Sequence, residues 1–246
     1  MGRFQGKTVL VTGASRGIGK AIALKFASES AQIVINFSKN ETEAHKVAKE
    51  AEALGGKASC LQADISSLES QKQLFQRISS DFQKLDILVN NAGAIVYKSL
   101  ASTSVEDFEK IFSLNVRGVF FACQNALNLM PNGGKIINLS SSVTRMMLPT
   151  YSAYSASKAA VEQLTRVLAK EVGSRQITVN AVAPGPTDTE LFREGKSENQ
   201  IEQLAQMSAL GRLGQTTDIA DVVAYLASNE ANWITGQTIF ANGGFA

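Results

Sequence analysis

One histidine, His45, supplies all the imidazole in this sequence, and it sits on the polar side of the stretch "NETEAHKVAKEAEAL". That excludes a Ser-His-Asp triad and argues against a histidine-based metal site. Cysteine is almost as scarce. Cys60 and Cys123 are far apart, show neither a CxxC nor a metal-ligand spacing, and each lies in an apolar run, so both are read as buried free thiols rather than as a disulfide. The formal net charge is only +2, and no block of five or six like charges occurs. There is thus no electrostatic footprint for nucleic acid or a membrane surface, and small molecules are the expected partners. No apolar run reaches the roughly 18 residues of a membrane span. The start, "MGRFQGKTVLVTG", has no apolar stretch of signal-peptide length before the first strand. A soluble, cytoplasmic protein in a reducing compartment is the expectation. Any acid-base chemistry must come from something other than histidine.

What the chain does have is a regular alternation. "TVLVTG", "AQIVINF", "KASCLQAD", "LDILVNN", "KIINLSS", "ITVNAVAPG" and "QTIFANGG" are short, β-branched runs, and the first six are separated by amphipathic stretches of helix length. Such runs carry little period-two polarity, as expected of strands covered on both faces. The pattern predicts an α/β fold with one doubly wound parallel sheet of seven strands flanked by helices. The length, 246 residues, suits a single domain over 1–246 with a large core. Asn40 with Glu43 and Thr103 with Glu106 have capping-box spacing, and "MPNGGK" ends the long helix before it. One region breaks the regularity: about 185–214, rich in glycine and proline with two short helical pieces, follows the sixth strand. Ligands bind beyond the carboxyl ends of strands in open α/β sheets, so this excursion is a candidate lid.

Several short motifs lie at the same edge. "TGASRGIG", with Gly13, Gly17 and Gly19, follows the first strand and opens a helix, where backbone amides can meet a pyrophosphate; glycines also simply permit a tight turn. "NNAG" ends the fourth strand and is equally compatible with a plain asparagine turn. Asn115 stands in the middle of an apolar helix, where an amide needs partners. Ser140, Ser141 and Ser142 close the fifth strand. In "PTYSAYSASKAAV" two tyrosines occur, and only Tyr154 stands one helical turn ahead of a lysine, Lys158. Positions i and i+4 share a face, so a cation adjoins a phenol whose ordinary pKa is about 10.

In this order along the chain, the motifs resemble the short-chain dehydrogenase/reductases of the short, single-domain type, over essentially the whole length. The match comprises TGxxxGIG at Thr12 to Gly19, Asp64 after the third strand, NNAG at Asn90 to Gly93, and Asn115. It continues with Ser141, YxxxK at Tyr154 and Lys158, PG at Pro184 and Gly185, and "ITGQTI" with "NGG". The resemblance implies a Rossmann fold and a nicotinamide cofactor. It assigns Tyr154 as general acid or base on the substrate oxygen, Ser141 as a hydrogen-bond donor to that oxygen, and Lys158 as a ribose ligand that lowers the tyrosine pKa. Asn115 is implied in a proton relay through water. Cofactor contacts are implied at Gly13, Ser15, Arg16, Gly17, Ile18 and Gly19 in the first turn. Asp64 and Ile65 follow the third strand, and Asn91, Ala92 and Gly93 the fourth. Pro184, Gly185, Thr187 and Thr189 follow the sixth. Ser141, Tyr151, Leu191 and Phe192 are expected to line the substrate pocket.

The end of the second strand bears on which dinucleotide is used. NAD sites usually carry an acid there for the adenosine ribose; this chain has Phe37, followed by Ser38 and Lys39, with Arg16 in the glycine loop. A hydroxyl and two cations suit a 2′-phosphate, so NADP(H) is the expected cofactor. The nearest branches of the resemblance are 3-oxoacyl-acyl-carrier-protein reductases and NADPH-dependent aldehyde or ketone reductases. A sugar or polyol dehydrogenase of the same family, or a catalytically silent nucleotide sensor, are the rival readings. On "ASKAAVEQLTRVLAKEV", Ala159, Ala160, Leu164, Val167 and Leu168 spread over more than one face. With the resemblance, that width and the C-terminal strand imply a homotetramer with two-fold interfaces.

Overall fold

The first strand is apolar at nearly every position because both its faces are covered. Val9 and Val11 point into one layer of helices and Leu10 into the other; Ile33 and Ile35 are likewise opposed by Val34, the two-residue alternation of a strand. In the computed structural model, which describes residues 2–246, all seven expected strands form. They are β1 (Thr8–Val11), β2 (Gln32–Phe37), β3 (Lys57–Gln62), β4 (Ile87–Asn90), β5 (Lys135–Leu139), β6 (Thr178–Pro184) and β7 (Thr238–Ala241). They make one parallel sheet in the order β3-β2-β1-β4-β5-β6-β7. The direction of winding reverses between β1 and β4, and a crevice opens there at the carboxyl ends of the strands.

The intervening helices are α1 (Gly17–Ser28), α2 (Glu41–Ala53), α3 (Leu68–Phe82), α4 (Val105–Phe112), α5 (Val119–Leu127) and α6 (Val143–Met146). They continue with α7 (Ser152–Glu171), α8 (Glu190–Arg193), α9 (Glu198–Gln206) and α10 (Thr216–Ala227). One layer holds α1, α2 and α10 around Phe26, Val47 and Val223; the other holds α3, α5 and α7 around Phe75, Ile78 and Val161. Each buried side chain of this size contributes about 1.5 to 3 kcal/mol relative to exposure. Among the described residues no helix is long and apolar enough to cross a membrane, and no group of three or more His, Cys, Asp or Glu is placed to hold a metal ion.

Four local expectations change. Asn40 does precede α2, but its side chain makes no capping bond. The capping box expected from Thr103 and Glu106 is shifted one residue: Ser104 Oγ accepts from the Asp107 amide and the Asp107 carboxylate accepts from Ser104 N. Both registers fit the spacing rule, and Asp107 gains a Lys98 ammonium as well. The long helix expected through Asn115 is divided by a π turn at Ser113–Gly118. Gly118 there runs so close to the loop after β3 that a Cβ would lie 2.8 Å from the Ile65 carbonyl oxygen, and Gln71 Nε2 donates to both the Ile65 and Gly118 carbonyls at 2.6 and 3.0 Å. Cys123 is buried as expected, but Cys60 is only half-buried, because β3 is an edge strand with one flank uncovered.

Candidate active site

A cavity of about 590 Å³ occupies the crevice between β1 and β4 and extends to the loop after β6. Its floor at one end is the turn from β1 to α1. Gly13 and Gly17 have φ of +64° and +56°, conformations that glycine adopts without a side-chain penalty. Asn91 clamps that turn from the end of β4: Nδ2 donates to the Thr12 and Gly13 carbonyls at 2.9 and 3.1 Å, and Asn91 N donates to Thr12 Oγ1 at 3.0 Å. A Cβ on Gly19 would fall 2.4 Å from Asn91 Nδ2, so this clamp and any larger residue are mutually exclusive. Asn36, which no sequence motif singles out, secures the other side, its Oδ1 accepting from Gly13 N at 3.3 Å and its Nδ2 donating to the Leu61 and Ala63 carbonyls. No side chain caps α1. Its first-turn amides, beside Ser15, Arg16 and Ile18, face the cavity and suit a pyrophosphate.

Around that turn the rim carries the residues expected to read the adenosine end. The Phe37 ring is 3% exposed and belongs to the core, while Ser38 and Lys39 are exposed at the cavity edge. Arg16 also reaches the rim, but it is not free of acids as the sequence suggested: Glu190 at the start of α8 lies 3.4 Å from its Nη1. Both partners are well exposed, so the pair is weak. Asp64 holds Ser66 through its Oδ1, and Ile65 lines the wall beside it. Across the cavity, Pro184 ends β6, Thr187 Oγ1 donates to the Gly185 carbonyl at 2.9 Å, and Thr189 accepts from Phe192 N as the cap of α8.

The other end of the cavity gathers the groups expected to move a proton. Tyr154 and Lys158 stand one turn apart on α7, with the ammonium 5.7 Å from the centre of the phenol ring. Lys158 Nζ donates to the Leu139 carbonyl at 2.7 Å at the end of β5, and a Cβ on Gly93 would be 3.5 Å from that nitrogen. Burial lowers the Lys158 ammonium to about 8. Tyr154 goes the other way: burial raises its phenol to about 12, against a lowering influence from the Ser141 hydroxyl and further raising by Tyr97 and Tyr151. The expected lowering by Lys158 does not appear among the influences on the phenol. Loss of water around the phenol is the largest influence on it.

Asn115 is held by the protein through both ends of its amide. Its Oδ1 accepts from Ala94 N at 2.9 Å, and its Nδ2 donates to the Ala94 carbonyl and Ser157 Oγ at 2.9 and 3.0 Å. Both amide hydrogens are thereby used, so the side chain ties the loop after β4 to α7. Asn90, its neighbour in the NNAG motif, lies beneath the floor, donating to Asn138 Oδ1 at 2.9 Å. Tyr151 lines the pocket with Leu191 and Phe192. Two further residues not expected from the sequence join them: Tyr97, whose ring meets Tyr151 edge-on at 5.1 Å, and Phe245, which follows β7. An aromatic shortly after NNAG was the only available signal for the first; no local pattern announces the second.

A family model described as enoyl-(acyl carrier protein) reductase matches residues 13–246. A short-chain type dehydrogenase/reductase of Picea abies is 43% identical over 249 residues, spanning 97% of this chain and 92% of the relative. An Arabidopsis thaliana protein named NADPH-dependent aldehyde reductase-like protein, chloroplastic, is 42% identical over 98% of this chain and 94% of its own. Among solved structures, an angucycline C-6 ketoreductase with bound NADP superposes with a TM-score of 0.93 at 40% identity, over 99% of this chain and 97% of that one. A short-chain dehydrogenase/reductase from Serratia marcescens gives 0.95 at 38% identity, over 99% of both chains. With this sheet, this glycine turn and relatives of this similarity over nearly its full length, the chain belongs to the short-chain dehydrogenase/reductase family.

Proposed function

We propose that this chain is an NADP(H)-dependent carbonyl reductase acting on a ketone, an aldehyde or a 3-oxoacyl compound. The observation that carries the reading is the convergence of Ser141, Tyr154 and Lys158 at one end of a cavity whose other end is a glycine turn and an uncapped helix N-terminus. The relatives with NADPH or NADP in their names support the choice of cofactor. So do Ser38 and Lys39 at a rim where Phe37 replaces the acid of an NAD site.

The cofactor supplies hydride chemistry when bound. The chain's part is to hold and move a proton. Tyr154, kept protonated by burial, donates from its hydroxyl to the substrate oxygen. A protonated phenol is the form that reduction needs. Ser141 steadies the same oxygen, and Lys158, anchored on Leu139, offers its remaining hydrogens to the ribose. Asn115 holds the floor of the site. The segment at about 185–214, with α8 and α9, is the substrate lid, and the whole of 1–246 acts as one catalytic domain.

Exposed Phe108, Phe120 and Val167 on α4, α5 and α7, and exposed Trp233 beside edge strand β7, support a homotetramer. Two unpaired thiols suit the cytoplasm. A panel of aldehydes and ketones, followed by loss of NADPH absorbance, tests the activity. Tyr154→Phe should lose about 10² to 10⁴ in turnover and keep NADPH binding, with Tyr151→Phe much milder; near-native turnover in the first variant refutes the assignment. NADPH binding without turnover of any panel member would favour the nucleotide-sensing alternative.

A further inference from the structure

Glu162 lies two turns after Tyr154 and one after Lys158, so the three occupy one face of α7. It is 7% exposed, and a carboxylate at such a position is costly unless its oxygens are bonded. They are. Oε1 accepts from Ser140 Oγ at 2.7 Å and from Thr144 Oγ1 at 2.9 Å, and Oε2 lies 3.6 Å from Arg166 Nη2. The two hydroxyls bracket Ser141. Thr144 has a single hydroxyl hydrogen and also sits 3.1 Å from the Ser141 carbonyl; the closer, charged acceptor takes it. Ser141 Oγ has little hold from its own turn, where it accepts only a long bond from Val143 N at 3.4 Å; its other neighbour is the Tyr154 hydroxyl, the group it must be aligned with.

We propose that Glu162 is a positioning residue: by holding Ser140 and Thr144 together it fixes the turn between them, and with it Ser141 Oγ, relative to Tyr154 and Lys158 on the same helix. A hydrophobic side chain cannot do this, because two donors need one shared acceptor. The turn has other anchors, with Ser142 N donating to the Pro184 carbonyl at 2.9 Å and Ser155 Oγ to the Val143 carbonyl at 3.2 Å. Losing Glu162 therefore loosens the turn without releasing it. The inference rests on Ser141 being a hydrogen-bond donor to the substrate oxygen.

The test is a double-mutant cycle. Glu162→Ala and Glu162→Gln are made in the native protein and in Ser141→Ala, with kcat, both KM values and NADPH affinity by fluorescence measured for the most active panel substrate. Glu162→Ala should lower kcat about 10-fold at unchanged NADPH affinity, Glu162→Gln should recover to within about 3-fold, and neither should matter once Ser141 is alanine. An equal proportional loss in both backgrounds, or a glutamine variant as impaired as the alanine one, overturns the proposal. A Ser141→Ala protein with native kcat removes the premise itself, and is read without any change at Glu162. If Glu162→Ala does not fold, Thr144→Val must show the same dependence on Ser141, and additivity there is equally fatal.

Discussion

Lys158 sets a pH limit on the enzyme that Tyr154 does not. Its ammonium falls from an ordinary 10.5 to about 8 because it is buried, at 5% exposure; at about 1.4 kcal/mol per pH unit this is a net penalty of roughly 3 kcal/mol against the charge. The single Leu139 carbonyl at 2.7 Å leaves that penalty standing. The sign follows directly: the group is charged below about 8 and neutral above it, while Tyr154, raised to about 12, stays protonated throughout the working range. The quantity kcat/KM for NADPH reports ionisations of the free enzyme. For the reductive reaction it should therefore be level from about pH 6 to about pH 7.5 and decline above about pH 8 as Lys158 loses its proton. Lys158→Arg, whose guanidinium keeps its charge, should start lower because it disturbs the Leu139 contact, yet lack the alkaline decline. A profile flat to about pH 10, or a decline that persists in the arginine variant, refutes this account of which group titrates.

Cofactor preference should exceed about 10-fold in kcat/KM for NADPH over NADH, about 1.4 kcal/mol, and Lys39→Glu at the exposed rim should erase most of it; equal use of both cofactors by the native protein would show that no phosphate is read there. Phe37→Asp should shift preference in the same direction but also lower thermal stability, by roughly 3 to 5 kcal/mol for the lost ring alone, because that ring is in the core. Thiol labelling of the native protein should modify Cys60 and leave Cys123, whose thiol burial raises to about 12, untouched until unfolding; mass spectrometry of the labelled peptides decides it. Light scattering should give a tetramer at micromolar concentration, with Trp233, 99% exposed in the isolated chain, shielded from acrylamide quenching; a monomer, or a freely quenched Trp233, contradicts the assembly.

The seven strands were legible because each has a short apolar run and a helix-length spacer, and burial on both faces forces that pattern. The glycine turn, Tyr154 with Lys158, and Ser141 were legible because their spacing is local. The π turn at Asn115 was not. It depends on Gly118 meeting Ile65, a contact between segments far apart in sequence, and no helical periodicity encodes it. The Arg16–Glu190 pair escaped for the same reason, with its partners 174 residues apart. The direction of the Tyr154 shift is not legible in the spacing, which reveals a neighbouring charge but not how much water the site excludes.

The clamp on the glycine turn bears on how the protein assembles. Thr12 and Asn91 are 79 residues apart, and the Asn115 bond to Ser157 spans 42, so neither can form while β1 and β4, or the π turn and α7, are still separate. Loop closure over such separations is slow, and parallel pairing is slow for the same reason. The cofactor cradle is therefore a late product of folding: during refolding, helical signal should return first, and NADPH binding should lag behind it until the central strands have met.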